Sequence, residues 1–379
     1  MRFATRIIHP GSELDPYTGA SSVPIYQVST FKQPAVDRPG DYDYARSGNP
    51  TRRALEDALA ALEGGARGFA FASGMAAISS ALLLFSAGDH LVVSQDVYGG
   101  TYRVLTRVFG RLGISATFVD TSDLAQLKGA IRENTRALFL ETPSNPTLKI
   151  TDLAGAASLA GERGLVTIVD NTFMTPYLQR PLEFGADLVV HSATKFLAGH
   201  SDVLAGAVVT RDAAWAEKVQ FLQNAVGAVL GPQDAWLVMR GLKTLQVRLE
   251  QQQRSAVRLA RWLSEQPEVA KVYYPGLPDH PGHALHQRQA AGPGAILSFE
   301  VRDPDLARQI LDGVRLPLLA VSLGAVESII SYPTRMSHAS MPPERRRELG
   351  VSDRLIRLSV GLEDPADLIA DLEQAMRPR

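Results

Sequence analysis

The residues that most invite a chemical reading stand at the ends of short apolar runs. Asp187-Leu-Val-Val-His191 leads directly into Ser192-Ala-Thr-Lys195. An ammonium so near a buried strand needs a partner or a depressed pKa, and a desolvated lysine amine is what Schiff-base chemistry employs. A strand-end lysine that snorkels to solvent is the bland alternative. Val166-Thr-Ile-Val-Asp170 ends in a carboxylate followed by Asn171-Thr172, which also suits a cap or a loop hydrogen bond. Ala72-Ser73-Gly74-Met75 joins a strand to a helix, and free first-turn N–H groups there attract an anion. Tyr98-Gly99-Gly100 follows the next strand; a tyrosine alone is as compatible with core packing.

Taken together, these four loops offer amides and hydroxyls for a phosphate, a ring to stack, a carboxylate and an amine. That set meets the needs of pyridoxal phosphate. Lys195 then carries the cofactor, and Asp170 pairs with the pyridinium nitrogen so that the ring can take up carbanion electrons. The Gly74 and Met75 amides, with Ser192 and Thr194, hold the phosphate, while Tyr98 stacks on the ring.

Positioning these groups requires strands that end at one edge, and the chain supplies them. Asn49-Pro50-Thr51 gives a cap and a first-turn proline, Leu55, Leu59 and Leu62 share one face, and Gly64-Gly65 is the stop. Beyond it, apolar strands at 68–72, 90–94, 116–120, 137–141, 166–170 and 188–191 alternate with helices at 75–85, 101–111, 124–133 and 153–163. Strands that are apolar throughout and separated by helices predict an α/β fold with a mostly parallel sheet covered on both faces. Ligands bind beyond the carboxyl ends of such strands. A long helical stretch is expected over 232–264. Strands 269–274, 295–301 and 355–360 with helices 306–311 and 365–376 then suit a smaller α+β domain. The expected division is an irregular arm at 1–48, a cofactor-binding domain at 49–245 and a C-terminal domain at 246–379.

With 379 residues, 45% hydrophobic and 21% charged, the chain can bury a sizeable core. Its formal net charge of −1 gives no excess positive field for nucleic acid or anionic lipid. It has no cysteine, hence no disulfide, thiolate metal site or cysteine nucleophile. No apolar run reaches the roughly 20 residues of a membrane span, and the start lacks a secretory pattern; a cytoplasmic setting is expected. His280, His283 and His286 are three apart, but Pro281 and Gly282 break the helix that would align them, so no metal is expected.

Several further motifs occur in one order: Tyr44-Ala-Arg46-Ser-Gly-Asn-Pro-Thr51, Ser73-Gly-Met75, Asp96-Val-Tyr98-Gly-Gly100, Glu141-Thr-Pro-Ser-Asn-Pro146, Asp170-Asn-Thr172, Ser192-Ala-Thr-Lys195 with Gly199-His-Ser-Asp202, Ser322-Leu-Gly324, and Ile356-Arg-Leu-Ser-Val-Gly-Leu-Glu-Asp364. Through them the chain resembles, over nearly its whole length, the Cys/Met-metabolism family of pyridoxal phosphate enzymes, the cystathionine γ-lyase, γ-synthase and β-lyase group.

The resemblance implies the fold type I of pyridoxal phosphate enzymes with a seven-stranded sheet. It also implies an obligate dimer, usually paired into a homotetramer, in which Tyr44 and Arg46 reach the neighbouring subunit's cofactor phosphate. Arg357 matches the arginine that clamps the substrate α-carboxylate, Ser322 lies in the adjoining loop, and Asn145 matches an asparagine near the cofactor's phenolic oxygen. Lys195, freed by the incoming amino acid, becomes the base.

The finer activity implied is cystathionine γ-lyase, with β-lyase, γ-synthase and methionine γ-lyase as alternatives and a catalytically silent amino-acid-binding homologue as the non-enzyme reading. Val321 stands where typical cystathionine γ-lyases resemble Glu and methionine γ-lyases resemble Val. Gly100 stands where methionine γ-lyases carry Cys, and Leu323 where some β-lyases carry Trp. Phe221–Asn224 and Gly227–Asp234 resemble firmicute-type lyases active on cystathionine.

Overall fold

The computed structural model describes residues 1–10, 14–15, 17–339 and 341–377. Seven strands form the larger sheet: β1 (Arg67–Phe71), β2 (His90–Ser94), β3 (Ser115–Val119), β4 (Thr135–Glu141), β5 (Val166–Asp170), β6 (Leu188–Ser192) and β7 (Gly206–Thr210). Their spatial order is β1-β7-β6-β5-β4-β2-β3. Strands β3, β2, β4, β5 and β6 pair in parallel, and β7 runs antiparallel to both β6 and β1.

Alternate residues of each strand feed two cores. Leu138, Leu140, Val169 and Val189 pack on one face, and Phe139, Ile168, Leu188 and Val190 on the other. That two-sided burial explains the uninterrupted apolar runs. Full burial of one such side chain contributes about 1.5–3 kcal/mol.

The helix Pro50–Glu63 begins and ends where its punctuation places it. Asn49 Oδ1 accepts from the Thr51 and Arg52 amides at 2.9 and 3.2 Å, and Gly64 stops the helix at φ 75°. Elsewhere the helices are shorter than their apolar spacing suggests. One ends at Leu82, one runs Gly99–Arg107 and gives way to a 3-10 turn at Phe109–Leu112, and one ends at Gly129.

The expected helical stretch over 232–264 comprises two helices, Pro232–Leu242 and Leu245–Ser264. A side chain spans the junction. Arg248 donates to the Gly241 carbonyl at 2.9 Å and to Thr244 Oγ1 at 3.1 Å, bracing the junction between the two helices. Strand β7, the helix Ala213–Val226 and the short helix Phe3–Ile8 are not in the sequence reading.

The second sheet has the order β10-β11-β12-β9-β8, with β8 (Val269–Tyr273), β9 (Ile296–Val301), β10 (Leu318–Leu319), β11 (Ile329–Ser331) and β12 (Leu355–Ser359). All its pairs are antiparallel except β10 with β11. Ile356 and Leu358 face its own core. Period-two alternation turns Arg357 the other way, toward the larger sheet. Ser298 Oγ of β9 donates to the Pro146 carbonyl at 2.8 Å, tying the two sheets together beside that arginine.

Candidate active site

A cavity of about 600 Å³ opens beyond the carboxyl ends of β4, β5 and β6, within the roughly 300–1,000 Å³ range of small-molecule sites. Gly74, Met75, Tyr98, Asn145, Asp170, Ser192, Thr194, Lys195, Ser322 and Arg357 all line it. The ten residues come from strand ends, helix starts, the loops and turns that follow strands, and the second sheet. Only the tertiary fold brings them to one place.

One wall is a helix start. Ser73 caps the helix Gly74–Leu82 by accepting from the Ala76 amide at 3.1 Å, leaving the two preceding amides as first-turn donors. Strand β6 presses against this turn. A Cβ at Gly74 would stand 2.8 Å from Ser192 Cβ and 2.9 Å from its Oγ. The absence of a side chain therefore keeps the amides and the Ser192 hydroxyl together around one space. Ser192 Oγ makes no hydrogen bond among the described residues. Thr194 Oγ1, by contrast, bonds the Ala205 backbone, accepting at 2.9 Å and donating at 3.2 Å.

Asp170 closes β5 and is buried. Its Oδ1 accepts from the Thr172 amide at 3.0 Å and from the Thr172 hydroxyl at 2.5 Å. The same hydroxyl accepts from the Ser192 amide at 2.9 Å, joining the ends of β5 and β6. Burial pushes the Asp170 carboxyl up, while the two Thr172 bonds and the nearby His191 oppose that shift. Behind the strands, His191 Nε2 meets Glu63 Oε1 at 2.6 Å in full burial, and Asn171 donates to the same oxygen at 3.0 Å.

The opposite wall carries two cations. Lys195 Nζ donates to Ser322 Oγ at 2.6 Å. Burial, reinforced by the Arg357 charge, lowers this amine to about 8. Arg357 is buried, donating to Asn145 Oδ1 at 3.0 Å and to the Ser322 carbonyl at 2.9 Å, and burial lowers it to about 10. Its Nε is buried without a partner among the described residues. Ser322 thus links the amine to the guanidinium. It does so from a left-handed backbone with φ 93°, a conformation costing a non-glycine residue about 1–3 kcal/mol.

Tyr98 sits at the mouth, 40% exposed, directly before the helix Gly99–Arg107. Its amide donates to Glu141 Oε2 at 2.9 Å. Glu141, Thr172 and Arg103 also line the cavity and are absent from the sequence reading of the site. Glu141 carries the same signal as Asp170, a carboxylate closing an apolar strand.

Tyr44 and Arg46 do not line this cavity. Tyr44 is exposed, the Arg46 guanidinium lies 5.6 Å from its ring centroid, and Arg46 Nε donates to Asn224 at 3.3 Å. Of the three spaced histidines, His283 and His286 face the backbone carbonyls of Pro275 and Gly292 at 2.7 and 3.0 Å, and His280 Nδ1 accepts from the Gly282 amide.

These residues fit pyridoxal phosphate. The cradle at Gly74 offers amides and a hydroxyl to a phosphate, a buried carboxylate suits a ring nitrogen, and an amine of lowered basicity suits an aldehyde.

Comparison with known proteins agrees. The cystathionine beta-lyase MetC of Bacillus subtilis (strain 168) is 56% identical over 373 residues, covering 98% of this chain and 96% of the relative. The cystathionine gamma-lyase of the same organism is 54% identical, covering 99% of each. The crystal structure of cystathionine gamma-lyase from Lactobacillus plantarum complexed with L-serine superposes with a TM-score of 0.97 at 48% identity, covering 99% of this chain and 98% of that one. The family described as Cys/Met metabolism PLP-dependent enzyme matches residues 4–377. With that match and with a lysine, an aspartate and a glycine cradle converging on one cavity, the chain belongs to the pyridoxal phosphate-dependent enzymes of Cys/Met metabolism.

Proposed function

We propose that this protein is a carbon–sulfur lyase that cleaves L-cystathionine on the γ side, releasing cysteine, 2-oxobutyrate and ammonia with the uptake of one water. One observation carries this reading: Ser322 holds the Lys195 amine and the Arg357 guanidinium, at 2.6 and 2.9 Å, on one side of the cavity. An amino acid whose α-carboxylate is clamped by the Arg357 fork would present its α-carbon to the Lys195 amine. Bound pyridoxal phosphate supplies the electron sink for the carbon that loses its proton.

In this reading Lys195 would hold the cofactor, Asp170 would face its ring nitrogen, and Tyr98 would stack on the ring. Gly74, Met75, Ser192 and Thr194 would hold the phosphate, Thr194 after giving up its bond to Ala205. Asn145 would serve both the cofactor's phenolic oxygen and Arg357. Cleavage at the γ carbon requires a second proton, taken from Cβ. The Lys195 amine suits both removals because it has lowered basicity, a flexible stem and a single hydroxyl tether. The two gamma-lyase relatives support this choice.

The β-lyase reading stands second, favoured by the relative at 56% identity. It needs only the first proton and yields homocysteine and pyruvate. Product identification from cystathionine separates the two. Cysteine with 2-oxobutyrate is expected, whereas homocysteine with pyruvate as the sole pair would replace γ-cleavage by β-cleavage. No product at all would leave the silent homologue. Release of cystathionine from cysteine and O-succinyl- or O-acetylhomoserine, without lyase products, would mark a synthase.

We further propose a homotetramer of two dimers, with Tyr44 and Arg46 serving the neighbouring subunit's phosphate. Their absence from the cavity of their own chain, and an arm that exposes Tyr17, Val36 and Tyr44, support it. Light scattering should give four times the 41.0 kDa chain mass; a monomer at micromolar concentration would refute the shared site.

A further inference from the structure

Glu141 ends β4 and Asp170 ends β5, and the two are direct partners in the parallel register. Side chains at matched positions of neighbouring strands leave the same face of the sheet, on backbones about 5 Å apart. Both carboxyl groups line the cavity, and their residues are only 5% and 7% exposed. Two dry carboxyl groups leaving the same face on neighbouring strands disfavour each other's charge.

Their surroundings decide which one keeps its charge. Asp170 receives two hydrogen bonds from Thr172, and the nearby His191 favours its charge. Glu141 receives one, from the Tyr98 amide, and faces the acidic Asp96 as well as Asp170. Among the described residues, the cation that lowers Glu141 is Arg357, the last of its influences, and its fork also bonds Asn145 and the Ser322 carbonyl.

We propose that Glu141 is a positioning residue that works as a neutral carboxylic acid: one oxygen fixes the Tyr98 amide, and the retained proton leaves the negative charge at this sheet edge to Asp170. The proposal rests on the assignment of Tyr98 and Asp170 to the cofactor. Burial, with Asp170 second, pushes the Glu141 carboxyl well above the ordinary value of 4.5, in keeping with it. An ionised Glu141 would instead add a second negative charge beside the ring nitrogen, in a site that must also admit an α-carboxylate.

The test uses E141Q, the isostere of the protonated acid, beside E141A. In the cofactor-free protein, a glutamate whose folded pKa is raised makes wild type lose stability as pH climbs above about 4.5, because the unfolded chain releases its proton first. E141Q cannot do so. Its melting temperature should therefore equal that of wild type near pH 4.5 and exceed it increasingly toward pH 8. In the loaded enzyme, E141A should lose about tenfold or more in kcat/KM and shift the pH midpoint of the cofactor's visible absorbance; E141Q should recover most of both.

An E141Q chain that is as impaired as E141A, that fails to fold, or whose stability difference from wild type does not change with pH would overturn the proposal. Normal absorbance titrations in all variants would do the same. The melting arm needs no cofactor, so it can fail or succeed independently of the site assignment.

Discussion

Replacement of Lys195 by alanine is expected to lower kcat by about 10⁴-fold or more, the upper range for loss of a positioned base. Two functions depend on the same nitrogen in the proposed reaction, covalent attachment of the cofactor and proton removal at carbon. No second lysine and no histidine lines the cavity among the described residues, so nothing stands ready to replace it. The Lys195 environment is also specific. Burial lowers the amine to about 8, closer to working pH than a solvated lysine, and Ser322 Oγ holds it at 2.6 Å. Borohydride reduction followed by mass spectrometry should find the cofactor on Lys195 in wild type and none at this position in the variant. A variant turning over within tenfold of wild type would remove Lys195 from its assigned role.

The second large effect is expected at Arg357. Truncation to alanine should reduce kcat/KM about 10²- to 10³-fold, the cost of losing a desolvated, charged hydrogen-bond partner. KM should carry most of the loss, because the proposed partner is a carboxylate present in substrate and transition state alike. Arg357→Lys should recover little. An ammonium lacks the planar fork that reaches Asn145 and the Ser322 carbonyl while still presenting a donor to substrate. Steady-state kinetics with cystathionine check this directly, and an unchanged KM in the alanine variant would show that the carboxylate binds elsewhere.

Much of the frame was legible because its signals are local. The cap at Asn49, the proline at the first helical position and the glycine stop are read from neighbouring residues, and the helix follows them. The parallel strands announce themselves as runs buried on both faces, and their last residues mark the cavity edge. Helix ends were less legible where side-chain contacts rather than apolar spacing mark them. The helical stretch over 232–264 divides at Lys243–Thr244, beside the contact of Arg248 with Gly241, and apolar spacing carries no trace of that contact. Strand β7 follows an irregular stretch with no helix before it, so the strand–helix alternation that marks its neighbours is missing there.

For the site, strand-end Asp170 and the Ser-Ala-Thr-Lys195 turn stand out by type and position, while Glu141 offers the same pattern and enters only as the first residue of a family motif, with no role at the site. A carboxylate gains meaning only from what faces it. By itself the sequence determined the chemical inventory: an amine, a carboxylate, a glycine-bearing helix start and the motifs that place the chain in its family. Tertiary structure decided which of these groups share charge and which share bonds. It brings Lys195 to Ser322 across 127 positions and Arg357 to Asn145 across 212. It also sets Glu141 against Asp170 through strand register. The physical reason is range. Capping and periodicity act over a few residues along the chain, whereas Coulomb repulsion and desolvation act over a few ångströms of space, which only folding defines.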